Sequence, residues 1–165
     1  MDEAFFGVYF YPPESLTNGI FVNNRGERFV NEDSYGARIG YFCSQQEDQK
    51  IYMIIQNEDF NPSIYMNKLP ILAVAETIEE LEKEAGFPEG SISSTVSTYN
   101  SYAKNGEDLD YKKNSKWLKE ITNPPFAIID YSFENQASPA YSDKNGPLMF
   151  TLGGLETLPT GEVLN

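Results

Sequence analysis

The sequence predicts an α+β fold, with short strands toward both ends of the chain and a pair of helices between them. Apolar residues recur every three or four positions most clearly between 75 and 104. Five β-prone runs lie outside that stretch, at 5–11, 20–22, 50–56, 126–131 and 148–152. The 165 residues suit one domain, and a hydrophobic fraction of 40% is enough to fill a core.

A hairpin is expected over residues 19–30. Two β-prone runs flank Asn23-Asn24-Arg25-Gly26, and Asn and Gly tolerate the positive φ of tight turns. A short helix over 37–42 is predicted to follow, with Asp33 or Ser34 as its N-cap.

Two further helices are predicted in the middle of the chain. The first spans 75–86, where Thr77 and Glu80 have the spacing of a capping box and Gly86 provides the stop. The second begins at Ser91, which we expect to be its N-cap, and ends near residue 104. A short connection predicts that the two pack as a hairpin.

The remaining segments are assigned from their polarity and their prolines. Residues 50–56 are expected to form a mostly buried strand, and 59–72, which contain two prolines, to form a loop. Residues 107–123 are polar and are anchored by Trp117 and Leu118. A loop is predicted at 132–147, and a last short strand within 157–164.

The charge excludes some partners. Lys and Arg number 12 and Asp and Glu number 25, so the net charge is 12 − 25 = −13. Such a surface repels phosphates, so we expect neither nucleic acid nor an anionic membrane as a partner. No run of about 18 apolar residues is present, so no membrane span is predicted. The acidic N-terminus lacks the basic region of a signal peptide, and the compartment stays undetermined.

The absence of histidine excludes Ser-His-Asp and Cys-His catalysis within this chain and any His-ligated metal. Proton transfer then depends on carboxylates, Tyr, Lys or Arg. Cys43 is the single cysteine, so no intrachain disulfide forms, and its aromatic neighbours predict a buried, inert thiol. The acidic run Glu79, Glu80, Glu82 and Glu84 is expected to be a solvated helix face rather than a metal site.

Four motifs occur in an order that carries a family resemblance. The segment 24–32 resembles the NxxGxRFxNE signature of the fumarate reductase and 3-ketosteroid Δ1-dehydrogenase flavoproteins. The helical pair with Thr95-Val-Ser-Thr-Tyr-Asn is similar to that of the same family. Pro124-Pro-Phe-Ala-Ile128 resembles its PPFYA strand, and Thr151-Leu-Gly-Gly-Leu155 its TxGGL strand.

This resemblance implies that residues 1–165 are a single capping (substrate) domain of the fumarate reductase flavoprotein type, excised from a larger protein. The Gly-x-Gly-x-x-Gly fingerprint of an FAD-binding Rossmann domain is absent here. FAD is then the cofactor of the parent, and the isolated chain is expected neither to bind it nor to be active. The implied partners are a small-molecule substrate and the parent's FAD domain, with weak self-association of the isolated chain.

The resemblance also implies catalytic residues. In fumarate reductases, an Arg at the position of Arg28 belongs to a proton-delivery chain with a Glu that is here replaced by Arg25. Arg28 is therefore a catalytic candidate and Glu32 a substrate-binding candidate, and a salt bridge between the two is the alternative. Tyr35 resembles the Tyr that ketosteroid dehydrogenases place after the signature, and Arg38 is the alternative proton donor.

The last motif implies contacts with substrate and cofactor. Phe150 stands where fumarate reductases have a His that holds a substrate carboxylate, so Phe150 and Thr151 are expected to contact a more apolar substrate. Gly153 and Gly154 lack Cβ atoms and are expected to approach the flavin ring.

The predicted activity of the parent is hydride transfer between flavin and an activated C–C or C=C bond, as in ketosteroid or enone dehydrogenases. The alternatives are dicarboxylate reduction of the fumarate reductase kind, or a non-catalytic, aromatic-rich ligand-binding module.

Overall fold

A four-stranded antiparallel sheet organises residues 17–60 and 69–132, which, with Asn135 and Thr160, are the residues described by this computed structural model. Along these residues the elements are β1 (Ile20–Asn23), α1 (Gly36–Ser44), β2 (Ile51–Gln56), β3 (Ile71–Ala75), α2 (Ile78–Ala85), α3 (Ser91–Asn105) and β4 (Phe126–Asp130). The strand order is β1-β2-β4-β3. The predicted α+β class is confirmed, whereas the strands predicted at 5–11, 148–152 and 157–164 lie outside the described residues.

The alternation of side chains along the strands produces two apolar cores. Ile54 on β2 is in register with Ile20 on β1 and Ile128 on β4, and all three are fully buried against α2 and α3. The opposite face of the sheet buries Met53 and its neighbours against α1. Because successive residues of a strand point to opposite faces, a near-continuous apolar run such as β2 is explained by burial on both sides.

The predicted hairpin is present as one strand and a tight turn. The Gly26 N–H donates to Asn23 O at 3.0 Å, and Gly26 has φ +76°, as the sequence predicted. The returning residues form only one bridge, between Val22 and Arg28.

Both central helices are confirmed close to their predicted bounds. Thr77 caps α2 by accepting from the Glu80 N–H at 3.2 Å, and Gly86 ends the helix in the left-handed region. The N-cap assignment of Ser91 is wrong, because Gly90 occupies that position of α3 and the Glu82 carboxylate accepts from the first N–H groups of the helix.

Three other predictions are corrected. Glu82 is buried by its capping role, so only Glu79, Glu80 and Glu84 of the acidic run are solvent-exposed. Neither Asp33 nor Ser34 caps α1, because Tyr35 occupies the N-cap position without a side-chain hydrogen bond. Residues 59–72 do not remain irregular to their end, because the chain enters β3 at Ile71, directly after Pro70.

In the part of the chain that the structure describes, the longest helix is α3, with 15 residues, and no helix is both long and apolar enough to cross a bilayer. The described residues also contain no group of three or more acidic or sulfur-bearing side chains placed to hold a metal ion.

Candidate functional site

A cluster of four buried charges joins residues 28–32 to the loop that follows α3. The Arg28 guanidinium forms two hydrogen bonds with the Glu32 carboxylate, at 2.9 and 2.7 Å, and reaches Asp108 Oδ2 at 2.8 Å. Lys113 Nζ lies 3.3 Å from Glu32 Oε2. Two cations and two carboxylates balance, which is the condition under which charges are retained in a protein interior. We call Arg28, Glu32, Asp108 and Lys113 the ion cluster.

Two tyrosine rings enclose the guanidinium of the ion cluster. The Arg28 Cζ atom lies 5.1 Å from the ring centroid of Tyr99 and 4.9 Å from that of Tyr111. The Tyr111 hydroxyl also donates to Arg28 O at 2.7 Å. These contacts restrict the guanidinium to one position through cation–π attraction and hydrogen bonds.

The ion cluster is also attached to the backbone of β1 and of the residue that precedes it. Glu32 Oε1 accepts from the Phe21 N–H at 3.1 Å, and Lys113 Nζ donates to Gly19 O at 2.7 Å. A further hydrogen bond joins Lys113 Nζ to the Tyr99 hydroxyl at 3.1 Å. The cluster therefore links strand, helix and loop in one hydrogen-bonded network.

The electrostatics of the cluster keep its carboxylates ionised. Burial by itself raises the pKa of Glu32, but Lys113 and Arg28 outweigh this and hold that pKa below its ordinary value. Burial also raises the pKa of Asp108, but Arg28 and backbone N–H groups outweigh it and hold that pKa below its ordinary value. Burial lowers the pKa of Arg28, and the two carboxylates more than reverse that effect.

Local sequence explains how the loop after α3 reaches the cluster. Gly106 ends the helix with φ +73°. The Asp108 carboxylate then accepts from the N–H groups of Asp110 and Tyr111 at 3.2 Å each and of Lys113 at 3.1 Å. The loop curls around this single carboxylate, which brings Lys113 back toward β1.

The structure brings together only part of the residue set predicted from the sequence. Arg28 and Glu32 form the salt bridge that the sequence allowed as an alternative, with side chains 6% and 0% exposed. Tyr35 and Arg38 lie at the solvent-exposed start of α1, where the Arg38 N–H donates to Tyr35 O at 2.9 Å. The side chain of Arg38 lies over the Phe42 ring, 5.7 Å from its centroid. Phe150, Thr151, Gly153 and Gly154 lie outside the described residues.

Sequence reasoning missed Asp108 and Lys113. Both occur in a polar stretch that resembles an ordinary solvated loop, and Asp108 is 80 positions from its partner Arg28. The one local signal was the placement of Asp108 two residues after the helix-ending Gly106, where Asp side chains commonly order a turn.

Comparison with known proteins supplies the family. A family model described as "FAD binding domain" matches residues 16–165. The chain belongs to this family. The family contains FAD-dependent oxidoreductases of the fumarate reductase and 3-ketosteroid dehydrogenase type, as the relatives show. FAD is the cofactor of the family.

The relatives of this flavoprotein chain are longer than the chain itself. It is 31% identical to a vinyl phenol reductase from Lactiplantibacillus plantarum over 88% of its own length and 33% of the relative's. It is 26% identical to a 3-oxosteroid 1-dehydrogenase from Mycolicibacterium smegmatis over 88% of its own length and 30% of the relative's. The chain thus spans about a third of these relatives.

Solved structures agree with this assignment. A 3-ketosteroid-Δ4-(5α)-dehydrogenase from Rhodococcus jostii RHA1 superposes with a TM-score of 0.71 and 35% identity, over 92% of this chain and 30% of that one. A solution structure of a fumarate reductase flavoprotein subunit from Lactobacillus plantarum shares the fold, with a TM-score of 0.57 at 22% identity. The match covers 79% of this chain and 93% of that one.

The N-termini of α2 and α3 and the two buried cations do not fit the pyrophosphate of FAD. Pyrophosphate is commonly held by free N–H groups at a helix N-terminus. Thr77 already caps α2, and Glu82 takes the first N–H groups of α3. Arg28 and Lys113, the two buried cations, are committed to carboxylates. α2, α3 and these two cations therefore offer FAD no site of this kind, whereas the N-terminus of α1 has no side-chain cap.

Proposed function

We propose that this chain is the substrate-capping domain of an FAD-dependent oxidoreductase that transfers hydride between flavin and an activated C–C or C=C bond. The observation that carries the proposal is the superposition of 92% of the chain on less than a third of a 3-ketosteroid dehydrogenase, at a TM-score of 0.71. A segment of that extent corresponds to one domain of a larger flavoenzyme. The partners are then a small-molecule substrate and the FAD domain of the same protein.

The placement of the polar residues supports a division of labour within this domain. Tyr35, 54% exposed, and Arg38 are accessible to a substrate, so they are our candidates for moving the proton on the face opposite the hydride. Arg28 and Glu32 are enclosed and hydrogen-bonded to each other, so in this proposal they support the segment that carries Tyr35 rather than contact the substrate.

The remaining motif completes the proposed site. In this proposal Phe150 and Thr151 are assigned to the substrate, and Gly153 and Gly154 to the flavin, as the family resemblance implies. FAD, bound mainly by the other domain, supplies the hydride acceptor or donor. The relatives at 31% and 26% identity are named for a vinyl phenol and a 3-oxosteroid, which favours an unsaturated, ring-bearing substrate over a dicarboxylate.

The test of catalysis is turnover by the flavoprotein that carries this segment, with Tyr35→Phe and Arg38→Lys compared separately. We expect the substitution at the proton donor to lower kcat by about 10²-fold or more. Tyr41→Phe, on the same helix, is the matched control. Near-native kcat in both variants would reject these two residues as proton donors.

The test of the domain assignment is flavin binding by the 165-residue chain. We expect the chain to purify without bound flavin and to leave the visible spectrum of added FAD unchanged. A stoichiometric yellow complex would contradict the assignment of the FAD site to another domain.

A further inference from the structure

The turn that precedes Tyr35 is bound from the outside by the loop that follows α3. We call residues 28–33 the signature segment and residues 108–114 the clamp loop. Asn31 and Asp33 fold the turn, because the Asn31 side chain accepts from the Asp33 N–H at 2.8 Å. Asn31 O accepts from the Ser34 N–H at 3.2 Å, so the turn leads directly to Tyr35.

Both residues of this turn also bond to the clamp loop. Asp33 Oδ2 accepts from the Asn114 N–H at 2.6 Å, and Asn31 Nδ2 donates to Lys112 O at 3.2 Å. The two contacts lie at the end of the clamp loop, next to Lys113 of the ion cluster. Lys112 has φ +58°, a strained value that the surrounding contacts hold in place.

The base of the clamp loop is fixed independently of these two contacts. Asp108 bonds to Arg28 in the interior, and the Tyr111 hydroxyl donates to the backbone of Arg28. The clamp loop therefore contacts the signature segment at its beginning, in the ion cluster, and at its end, beside Tyr35. Because the signature segment is held at both ends by the clamp loop, the position of the exposed Tyr35 that follows it is restrained.

We propose that the clamp loop positions Tyr35, with Asp33 as the positioning residue that connects the two. The inference rests on the proposed function, because it concerns Tyr35, one of the two residues to which that function assigns the proton transfer. Asp33 acts through the backbone of Asn114 on one side and through the turn into Tyr35 on the other. Tyr35 O in turn accepts from the N–H groups of Arg38 and Ile39, in the first turn of α1.

Amide hydrogen exchange in the 165-residue chain tests the positioning directly. Asp33→Ala removes the acceptor for Asn114, and we expect exchange at Arg38 and Ile39 to accelerate about fivefold, as the loss of one hydrogen bond predicts. Asp33→Asn retains an acceptor oxygen and should restore slow exchange. Glu107→Gln is the matched control, because the exposed Glu107 side chain pairs with the exposed Lys112 ammonium, at 3.2 Å. Unchanged exchange at α1 in Asp33→Ala, or an equal acceleration in β2 and β4, would overturn the proposal.

A double-mutant cycle in the flavoprotein tests the consequence for catalysis. In the Tyr35 background, Asp33→Ala should lower kcat about tenfold with little change in KM, since misplacement of a reacting group acts on the chemical step. In the Tyr35→Phe background, the same substitution should have no further effect. An equal loss in both backgrounds would contradict positioning of Tyr35. Near-native kcat in Tyr35→Phe alone would reject Tyr35 as the proton donor, while the exchange result would still decide the positioning.

Discussion

Glu82 on α2 and Ile92 in the first turn of α3 are joined by a hydrogen bond of 2.7 Å from the Ile92 N–H to the Glu82 carboxylate. The same carboxylate accepts from Gly90 at 2.5 Å and Ser93 at 3.1 Å. One helix thus caps the next, and a negative charge lies at the positive end of the α3 dipole.

Removal of this carboxylate should destabilise the helical pair. Glu82→Ala leaves buried N–H groups without an acceptor, so we expect the free energy of unfolding to fall by about 1–3 kcal/mol. Glu82→Gln keeps one acceptor and should lose less. Urea denaturation measures both, with Glu84→Ala, at an exposed position of the same helix, as the control. Equal stability of Glu82→Ala and Glu84→Ala would refute the capping role.

The ion cluster should be intolerant of the loss of one charge. Asp108→Asn leaves Arg28 and Lys113 facing a single carboxylate, so we expect the free energy of unfolding to fall by about 3–5 kcal/mol. Glu107→Gln, one residue away and exposed, should change stability by less than about 0.5 kcal/mol. The comparison uses urea midpoints at neutral pH, and similar midpoints for the two variants would mean that the cluster contributes little.

The same carboxylates predict an acid-side loss of stability. Their folded pKa values lie below the ordinary values of 4.5 for Glu32 and 3.8 for Asp108. Groups with depressed folded pKa values contribute their full stabilisation above the unfolded pKa and lose it as pH falls through the folded pKa. We therefore expect the urea midpoint to decline steadily below the ordinary carboxyl range. About 0.5 M NaCl should leave most of this decline in place, because buried pairs are poorly screened. A decline abolished by salt would assign it to surface charges instead.

Gly26 should tolerate no side chain. Its φ is +76°, and a Cβ atom would lie 2.5 Å from Ser91 Oγ and 2.9 Å from Ser91 Cβ. Gly106 has a similar φ of +73° and open space around it, so Gly106→Ala measures the backbone strain alone, about 1 kcal/mol. Gly26→Ala should lose about 1–3 kcal/mol more from the added overlap with α3. Thermal or urea unfolding of the two variants gives the difference directly, and the expectation fails if they are equally stable.

Cys43 should resist alkylation in the native protein. The residue is fully buried, as the sequence predicted, and burial raises the pKa of its thiol. Iodoacetamide at neutral pH should label the chain only after denaturation, as mass spectrometry would report. Rapid labelling of the folded chain would show that α1 separates readily from the sheet.

Those parts of the fold that rest on local pattern could be predicted from the sequence. The period of α3 and the Thr77 cap of α2 are encoded within a few residues, and β2 is a continuous apolar run. β3 could not be predicted, because Ile71 and Val74 are exposed on an edge strand that follows Pro70 and pairs with β4 alone among the described strands. β3 is a strand because it pairs with β4, and the paired residues Ala73 and Ile128 are 55 positions apart in the sequence.

The candidate site divides in the same way. Arg28 and Glu32 are four residues apart, so their pairing could be foreseen as one of two alternatives. Asp108 and Lys113 could not, because their place in the interior depends on how α3 packs against the sheet. The capping role of Glu82 was missed for a related reason: its sequence neighbours are exposed acids, and its partners lie beyond the turn that connects the helices.

The hydrogen bonds of Glu32 and Lys113 to β1 have a consequence for the sheet as an assembly surface. Among the described strands β1 ends the strand order, and three groups along this edge are already engaged: Asn23 N–H by Glu27 O, Phe21 N–H by Glu32 and, just before the strand, Gly19 O by Lys113. Unpaired groups on an edge strand invite a strand from another molecule, which begins domain swapping or fibril growth. At this edge an incoming strand would have to displace buried charges. The network that supports the signature segment therefore also closes one side of the sheet to aggregation.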